Sequence, residues 1–274
     1  MKTFRNPLSD KNLSDPFVTY DKTTGYYYLI ATSDDEIRMY RSRRIGDIVR
    51  NGESTIVYKN EPEKKVYGPM WAPEMCKVGD RWYLYTSCQE TDTENPWDTK
   101  RLLILRSKTE NPFDGFEFGS KPDPSIYAID PTTAFINGKQ YICYSRVPGT
   151  SGQVLDIREM RDPLTFTDNV SEIARASYPW ELVAPYTGTG INEGAFFIQR
   201  ENKLFIVYSG NGCWSDDYCL AVLEHTGGEI CDRKNWIKHS KPLFVKGNGK
   251  KKKPHHRFSL PSRQNLRTEG VHSI

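Results

Sequence analysis

Long apolar runs are absent from this 274-residue chain: no stretch of about 18 apolar residues occurs, so neither a transmembrane helix nor a membrane partner is expected. Its first residues, Met1-Lys-Thr-Phe-Arg-Asn-Pro7, lack the apolar segment of a secretory signal, which points to the cytoplasm unless a signal has been removed. No Cys-x-x-Cys pair occurs among Cys76, Cys88, Cys143, Cys213, Cys219 and Cys231, so the usual zinc spacing is missing. Free, reduced thiols are expected, with one disulfide among the last three left open. No segment keeps a 3.6-residue apolar period over three turns, so almost no helix is expected.

Basic charge is also sparse over most of the chain. The formal net charge is +3, yet residues 246–274 hold eight Lys or Arg and one acid. The remainder has 30 basic and 34 acidic residues. A mildly acidic body lacks the basic face that a nucleic-acid partner requires. The run Lys250 to Lys253 reads as a solvated tail.

What the chain does have is a repeat. An aromatic residue, two mostly apolar positions, one variable position and a Ser or Thr recur four times: Tyr28 to Thr32, Trp82 to Thr86, Tyr141 to Ser145 and Phe205 to Ser209. Their first residues are 54, 59 and 64 positions apart. Each copy lies between other short strand patterns and turn signals, among them Asp21 to Gly25, Val78-Gly79-Asp80, Asn137-Gly138 and Glu201-Asn202. Asn-Gly between two strand patterns is a strong hairpin signal. Units of 55–65 residues, each a meander of three or four antiparallel strands, predict an all-β propeller. Four units fill residues 13–240. A fifth would place its aromatic strand between 259 and 269, but residues 259–274 contain no Phe, Tyr or Trp. The fifth unit therefore begins without finishing in the same style.

An acid precedes each copy: Asp15, Glu74, Asp130 and Glu193, at 13, 8, 11 and 12 residues before the aromatic. Inner strands of a propeller run along one axis, so acids at their starts converge at one mouth. Close carboxylates push each other's pKa apart, and one protonated plus one ionised acid is what glycosidic cleavage needs. Taken singly, Asp15-Pro16 and Asp130-Pro131 read as turns and Asn192-Glu193-Gly194 as a loop. Four recurrences at one phase of a repeat favour function, because acids are depleted in strands. Tyr67, Trp71, Phe196, Phe197, Trp214 and Tyr218 surround them, and aromatic faces can line a sugar subsite. Mid-strand Phe197, Tyr83 and Tyr141 are assigned to packing between blades.

These residues resemble glycoside hydrolase family 43, in the five-bladed propeller clan that also holds family 62. The matching pieces are Ser14-Asp-Pro-Phe-Val18, Trp71-Ala-Pro-Glu74, Ala128-Ile-Asp-Pro131 and Ile191-Asn-Glu-Gly-Ala195, within residues 6–262. The stretch Tyr208 to Leu220 is similar to members acting on arabinofuranosyl or xylosyl groups. The resemblance implies a single catalytic five-bladed propeller over residues 1–274 and an inverting mechanism. In it Asp15 is the general base, Glu193 the general acid, and Asp130 the carboxylate that orients the acid and tunes its pKa. Trp71, Phe196 and Trp214 would bind substrate, with Glu74 in support. No cofactor is required for the chemistry. A structural calcium on the axis is implied through His255, in Pro254-His-His-Arg-Phe258, although Pro254 stands where the family has glycine. Residues 250–274 depart from the family, form an atypical basic tail and would leave blade five incomplete. The implied activity is exo-acting release of L-arabinofuranose or D-xylose from plant-wall oligosaccharides. Endo-arabinanase, a non-catalytic sugar-binding propeller and a protein-interaction propeller stand as alternatives. Oligomeric state is not legible.

Overall fold

Four hairpin-rich segments of the chain fold into four separate four-stranded antiparallel sheets, and each sheet takes its strands in chain order. The computed structural model describes residues 9, 11–93, 95, 99–148, 152–182 and 190–246. The first sheet holds β1 (Phe17–Asp21), β2 (Tyr26–Ile30), β3 (Glu36–Ser42) and β4 (Glu53–Lys59). The second holds β5 (Tyr67–Val78), β6 (Arg81–Gln89), β7 (Lys100–Ser107) and β8 (Phe116–Ser120). The third holds β9 (Ala128–Ile136), β10 (Lys139–Arg146), β11 (Val154–Asp162) and β12 (Thr165–Arg175). The fourth holds β13 (Asn192–Arg200), β14 (Lys203–Gly210), β15 (Cys219–His225) and β16 (Trp236–Lys238). Among the described residues the only helical pieces are five three-residue 3-10 turns.

The turn chemistry explains the meanders. Asn137 and Gly138 both have positive φ, 50° and 79°, in a two-residue loop between Ile136 and Lys139. Glu201 and Asn202 do the same at 50° and 63°. Two positive φ values match the twist of the flanking strands, so these loops close hairpins without splaying them. In the first sheet the Asp21 carboxylate accepts from Thr23 N at 3.0 Å and Thr24 Oγ1 at 2.9 Å, which folds the turn before Gly25.

The sheets pack face to face as propeller blades, with β1, β5, β9 and β13 as successive neighbours on the inside. Tyr28, Ile30, Ile37 and Met39 of blade one meet Met75, Trp82, Leu84 and Leu103 of blade two. Tyr85, Leu102 and Ile104 of blade two meet Ile142, Tyr144 and Met160 of blade three. Cys143, Leu155 and Ile157 of blade three meet Ile206, Tyr208 and Trp236 of blade four. The all-β propeller is therefore present, with four blades among the described residues. A fifth blade and the basic tail at 250–274 fall on residues outside those described.

One feature of the repeat is corrected by strand register. In each of the four described blades, two inner-strand residues oppose one residue of the second strand. Asp15 and Pro16 face Ala31, between the Ser14–Thr32 and Phe17–Ile30 pairs. Ala72 and Pro73 face Thr86, Asp130 and Pro131 face Tyr144, and Gly194 and Ala195 face Tyr208. The first residue of each bulge has positive φ: 47° at Asp15, 49° at Ala72, 55° at Asp130 and 58° at Gly194. These four positions are equivalent. Glu74 therefore lies two residues past the position that Asp15 and Asp130 occupy, and Glu193 one before it. The second-strand hydroxyls that follow the bulge are Thr32, Ser87, Ser145 and Ser209. Blade two thus reads Tyr83 to Ser87, one residue later than the spacing of aromatics predicts, because Trp82 and Tyr83 are adjacent and only the bulge sets the phase.

The packing makes a stability prediction. Leu84 is fully buried between blades one and two. Leu84→Ala is expected to lower unfolding free energy by about 2–5 kcal/mol, read as a shift in urea midpoint at unchanged slope. A loss under about 1 kcal/mol would contradict this packing.

Candidate active site

A bulge bends a strand and re-aims its side chains. Here four bulges lie at the same end of four adjacent inner strands, so Asp15, Trp71, Asp130 and Glu193 share one mouth of the channel. Cys213 is exposed at the surface, yet the protein packed around its thiol and then the negative charges of Glu193, Asp15 and Asp130 push its pKa up to about 11. Burial, followed by Glu193, raises the Tyr218 hydroxyl well above its ordinary value, and Asp130 adds to the effect. Carboxylates from blades one, three and four are thus all within electrostatic reach of Cys213, and those of Asp130 and Glu193 also of Tyr218.

Each acid is held differently. Asp15 is half-buried, and its Oδ2 accepts from Thr32 Oγ1 at 2.6 Å. Asp130 is buried, and its Oδ2 accepts from Gly194 N at 3.0 Å. That bond crosses from blade three to blade four and fixes the peptide that follows Glu193. Glu193 is buried and lies opposite Ser209, whose hydroxyl accepts from Tyr218 Oη at 2.9 Å.

The expected sugar-binding residues separate. Trp71 is half-buried at the mouth, and the peptide between Trp71 and Ala72 is clamped from two sides. Its carbonyl accepts from Thr86 Oγ1 at 2.7 Å, and its N–H donates to Thr32 Oγ1 at 2.8 Å. Trp214 is 43% exposed and its ring lies over Gly212, where an added Cβ would come within 2.4 Å of it. Its loop is tied down by the buried Asn211, whose Nδ2 donates to Trp180 O at 2.6 Å and Asp217 O at 3.1 Å. Phe196 is half-buried further along β13 and packs against the apolar cluster between blades one and two. Glu74 is buried on β5, where its charge bears on the Cys76 and Cys143 thiols. All six cysteines are free.

Two lysines escaped the sequence reading, Lys100 fully buried and Lys238 partly buried. Lys100 is fully buried with its ammonium 3.9 Å from the centre of the Trp71 ring, and it donates to the Pro69 carbonyl. Burial pulls its pKa down to about 7, with the Cys88 and Asp130 charges opposing that. When protonated, the Lys100 ammonium is attracted by the quadrupole of the Trp71 ring, which helps to hold that ring in place. Lys238 meets Glu181, which has no exposed surface, at 2.6 Å. Glu181 also accepts from Ser177 N, Tyr178 N, Asn192 Nδ2 and Tyr208 Oη at 2.8–3.0 Å. Burial alone would raise the Glu181 carboxyl, but the Lys238 ammonium and the two amides hold it below the usual carboxylate range. Asn192 immediately precedes Glu193, and its carbonyl accepts from Ser145 Oγ at 3.0 Å. The Glu181–Lys238 pair therefore anchors the start of β13. No local signal marks either lysine, because each partner lies far away in sequence.

His255 lies outside the described residues. Among those described, no three His, Cys, Asp or Glu side chains are grouped to hold a metal ion. The calcium implied through His255 remains an expectation of the family resemblance.

The family model described as glycosyl hydrolases family 43 matches residues 4–263. An extracellular exo-alpha-(1->5)-L-arabinofuranosidase of Streptomyces chartreusis is 30% identical over 250 residues, covering 88% of this chain and 73% of that protein. A Streptomyces avermitilis protein of the same name is 32% identical over 251 residues, covering 88% of this chain and 50% of that protein. The chain thus spans about three quarters of one relative and half of the other. An α-L-arabinofuranosidase structure from Lactobacillus brevis has a TM-score of 0.79 at 20% identity, covering 89% of this chain and 77% of that chain. An endo-arabinase structure from Bacteroides thetaiotaomicron has a TM-score of 0.72 at 21% identity, covering 88% and 84%. At these identities the structures show a shared fold.

The buried ion pair makes a prediction. Lys238→Met leaves the Glu181 charge buried without its cation, and breaking such a pair costs about 3–5 kcal/mol. Because the folded-state pKa of Glu181 is depressed, its contribution is full above about 4.5 and is lost as pH falls through the folded value. The stability gap between wild type and Lys238→Met should therefore be large at pH 7 and narrow below pH 4.5 in denaturant titrations. A gap independent of pH would contradict the pairing.

Proposed function

The chain belongs to glycosyl hydrolases family 43, and from that premise we propose that it is an exo-acting α-L-arabinofuranosidase that works by inversion. The observation that supports the chemistry is that Asp15, Asp130 and Glu193 lie at or beside the bulges at the same end of three inner strands, all within electrostatic reach of Cys213. Asp15 takes a proton from a water molecule as that water attacks the anomeric carbon. Glu193 gives a proton to the leaving oxygen as the glycosidic bond breaks. The water oxygen becomes the new anomeric hydroxyl, and the departing chain leaves as an alcohol. Asp130 acts through geometry: by holding Gly194 N it fixes the peptide beside Glu193 and hence the direction of its carboxyl. Trp71 and Trp214 present ring faces to the sugar, with Lys100 against the Trp71 ring.

The names of the two Streptomyces proteins support arabinofuranose over xylose as the released sugar, and an exo over an endo mode. Both are named extracellular, which supports secretion over the cytoplasmic location expected from the first residues alone. No helix among the described residues is long and apolar enough to cross a membrane.

The test is hydrolysis of nitrophenyl α-L-arabinofuranoside, nitrophenyl β-D-xyloside and linear arabino-oligosaccharides. The arabinofuranoside should turn over fastest. Asp15→Ala should lose about 10²–10⁴-fold in kcat on both arabinose substrates. Glu193→Ala should lose more on the oligosaccharide than on the nitrophenyl substrate, since nitrophenolate leaves with little help from an acid. Full activity in either variant would overturn the assignment. Saturable arabino-oligosaccharide binding without turnover in the wild type would instead make this a sugar-binding propeller.

A further inference from the structure

The hydroxyl that closes the sequence repeat has no role in the chemistry described so far. In blade one that hydroxyl is Thr32, and it sits between two parts of the site. Its Oγ1 is 2.6 Å from Asp15 Oδ2 and 2.8 Å from the backbone nitrogen of Ala72. We propose that Thr32 is a positioning residue for Asp15, holding the base and the Trp71–Ala72 peptide to one another across the first two blades. This rests on the reading of Asp15 as the general base.

The argument is about one proton. A threonine hydroxyl has a single O–H and two lone pairs. The Ala72 N–H can only donate, so it takes a lone pair and the hydroxyl proton is free for the carboxylate. A carboxylate can accept it without competition, and Oδ2 is then committed as an acceptor. The other oxygen, Oδ1, is left to take the proton of the attacking water. The arrangement is stiff at both ends. Threonine is β-branched and restricted at χ1. Its own N–H donates to Ser14 O at 3.0 Å, on the residue just before Asp15. Ala72 is held at positive φ, and the carbonyl of the preceding residue is gripped by Thr86 at 2.7 Å.

The other blades show what the device is for. In blade two the bulge residue is Ala72 rather than an acid, and the equivalent Ser87 hydroxyl is buried with no partner among the described residues. In blade three the equivalent Ser145 reaches across to Asn192 O instead. The repeat thus supplies a hydroxyl at every bulge, and in blade one it meets the carboxylate proposed as base.

The experiment compares Thr32→Val, Thr32→Ser, Asp15→Ala and Thr32→Val with Asp15→Ala together, on nitrophenyl α-L-arabinofuranoside, with thermal unfolding of each. Valine keeps the shape and removes the hydroxyl; serine keeps the hydroxyl. Thr32→Val should lower kcat about 10–100-fold, the cost of a misplaced catalytic group, with KM changed less than about threefold. Thr32→Ser should stay within about threefold of wild type. In the Asp15→Ala background, Thr32→Val should cost less than about twofold more, because the group it positions is gone. Three results would overturn the proposal: Thr32→Val as active as wild type, Thr32→Ser as impaired as Thr32→Val, or the valine costing as much without Asp15 as with it. A fully active Asp15→Ala would instead sink the base assignment on which the proposal stands.

Discussion

The constraint on which this molecule depends is a two-against-one bulge at the start of each inner strand. Ordinary pairing would send successive side chains to opposite faces of the blade. The extra residue, held at positive φ, breaks that alternation at one level of the channel in all four described blades. Asp15 and Asp130 occupy the bulge itself, and Trp71 and Glu193 the position just before it. Positive φ is tolerated by Asp and Gly and costs an alanine on the order of 1 kcal/mol. Ala72 holds such a conformation, fully buried, beside the tryptophan of the mouth.

Around the bulges runs a layer of hydroxyls and buried charges that ties blade one to blade two and blade three to blade four. Thr32 links blade one to blade two, Asp130 links three to four through Gly194, and Ser145 does so again through Asn192. Hydrogen bonds to a charged group contribute about 1.5–3 kcal/mol each, more than neutral ones. They also define direction, which apolar packing between blades does not. The apolar clusters set how the blades stack, and the polar layer sets where the carboxylates point.

Much of this was legible in the sequence, for reasons that can be named. Asn137-Gly138 and Glu201-Asn202 encode their hairpins locally, and Asn137, Gly138 and Asn202 take the positive φ values their residue types favour, Glu201 following its neighbour. The four aromatic strands are visible because each buries a similar face in a similar interface. The phase of blade two was misread because Trp82 and Tyr83 are both aromatic, and the bulge that separates them is a property of pairing, not of composition. Glu74 was grouped with the other acids for the same reason. The short outer strands β4, β8 and β16 carry little periodicity of their own. Lys100 and the Glu181–Lys238 pair have no signature at all, since Lys100 stands 29 positions from Trp71 and Lys238 57 from Glu181. Cys213 has no signature either: its sequence leaves open a free thiol or a disulfide, and nothing local places it within electrostatic reach of the three acids.

The central claim is that two of these carboxylates act from opposite sides of one sugar, with water attacking directly. The most direct measurement is a proton NMR time course of arabinose released from an α-L-arabinofuranoside, read before mutarotation. Direct attack of water predicts that the β-anomer appears first and the α-anomer grows only later. The α-anomer appearing first would mean retention through a covalent intermediate, and would contradict the roles given to Asp15 and Glu193.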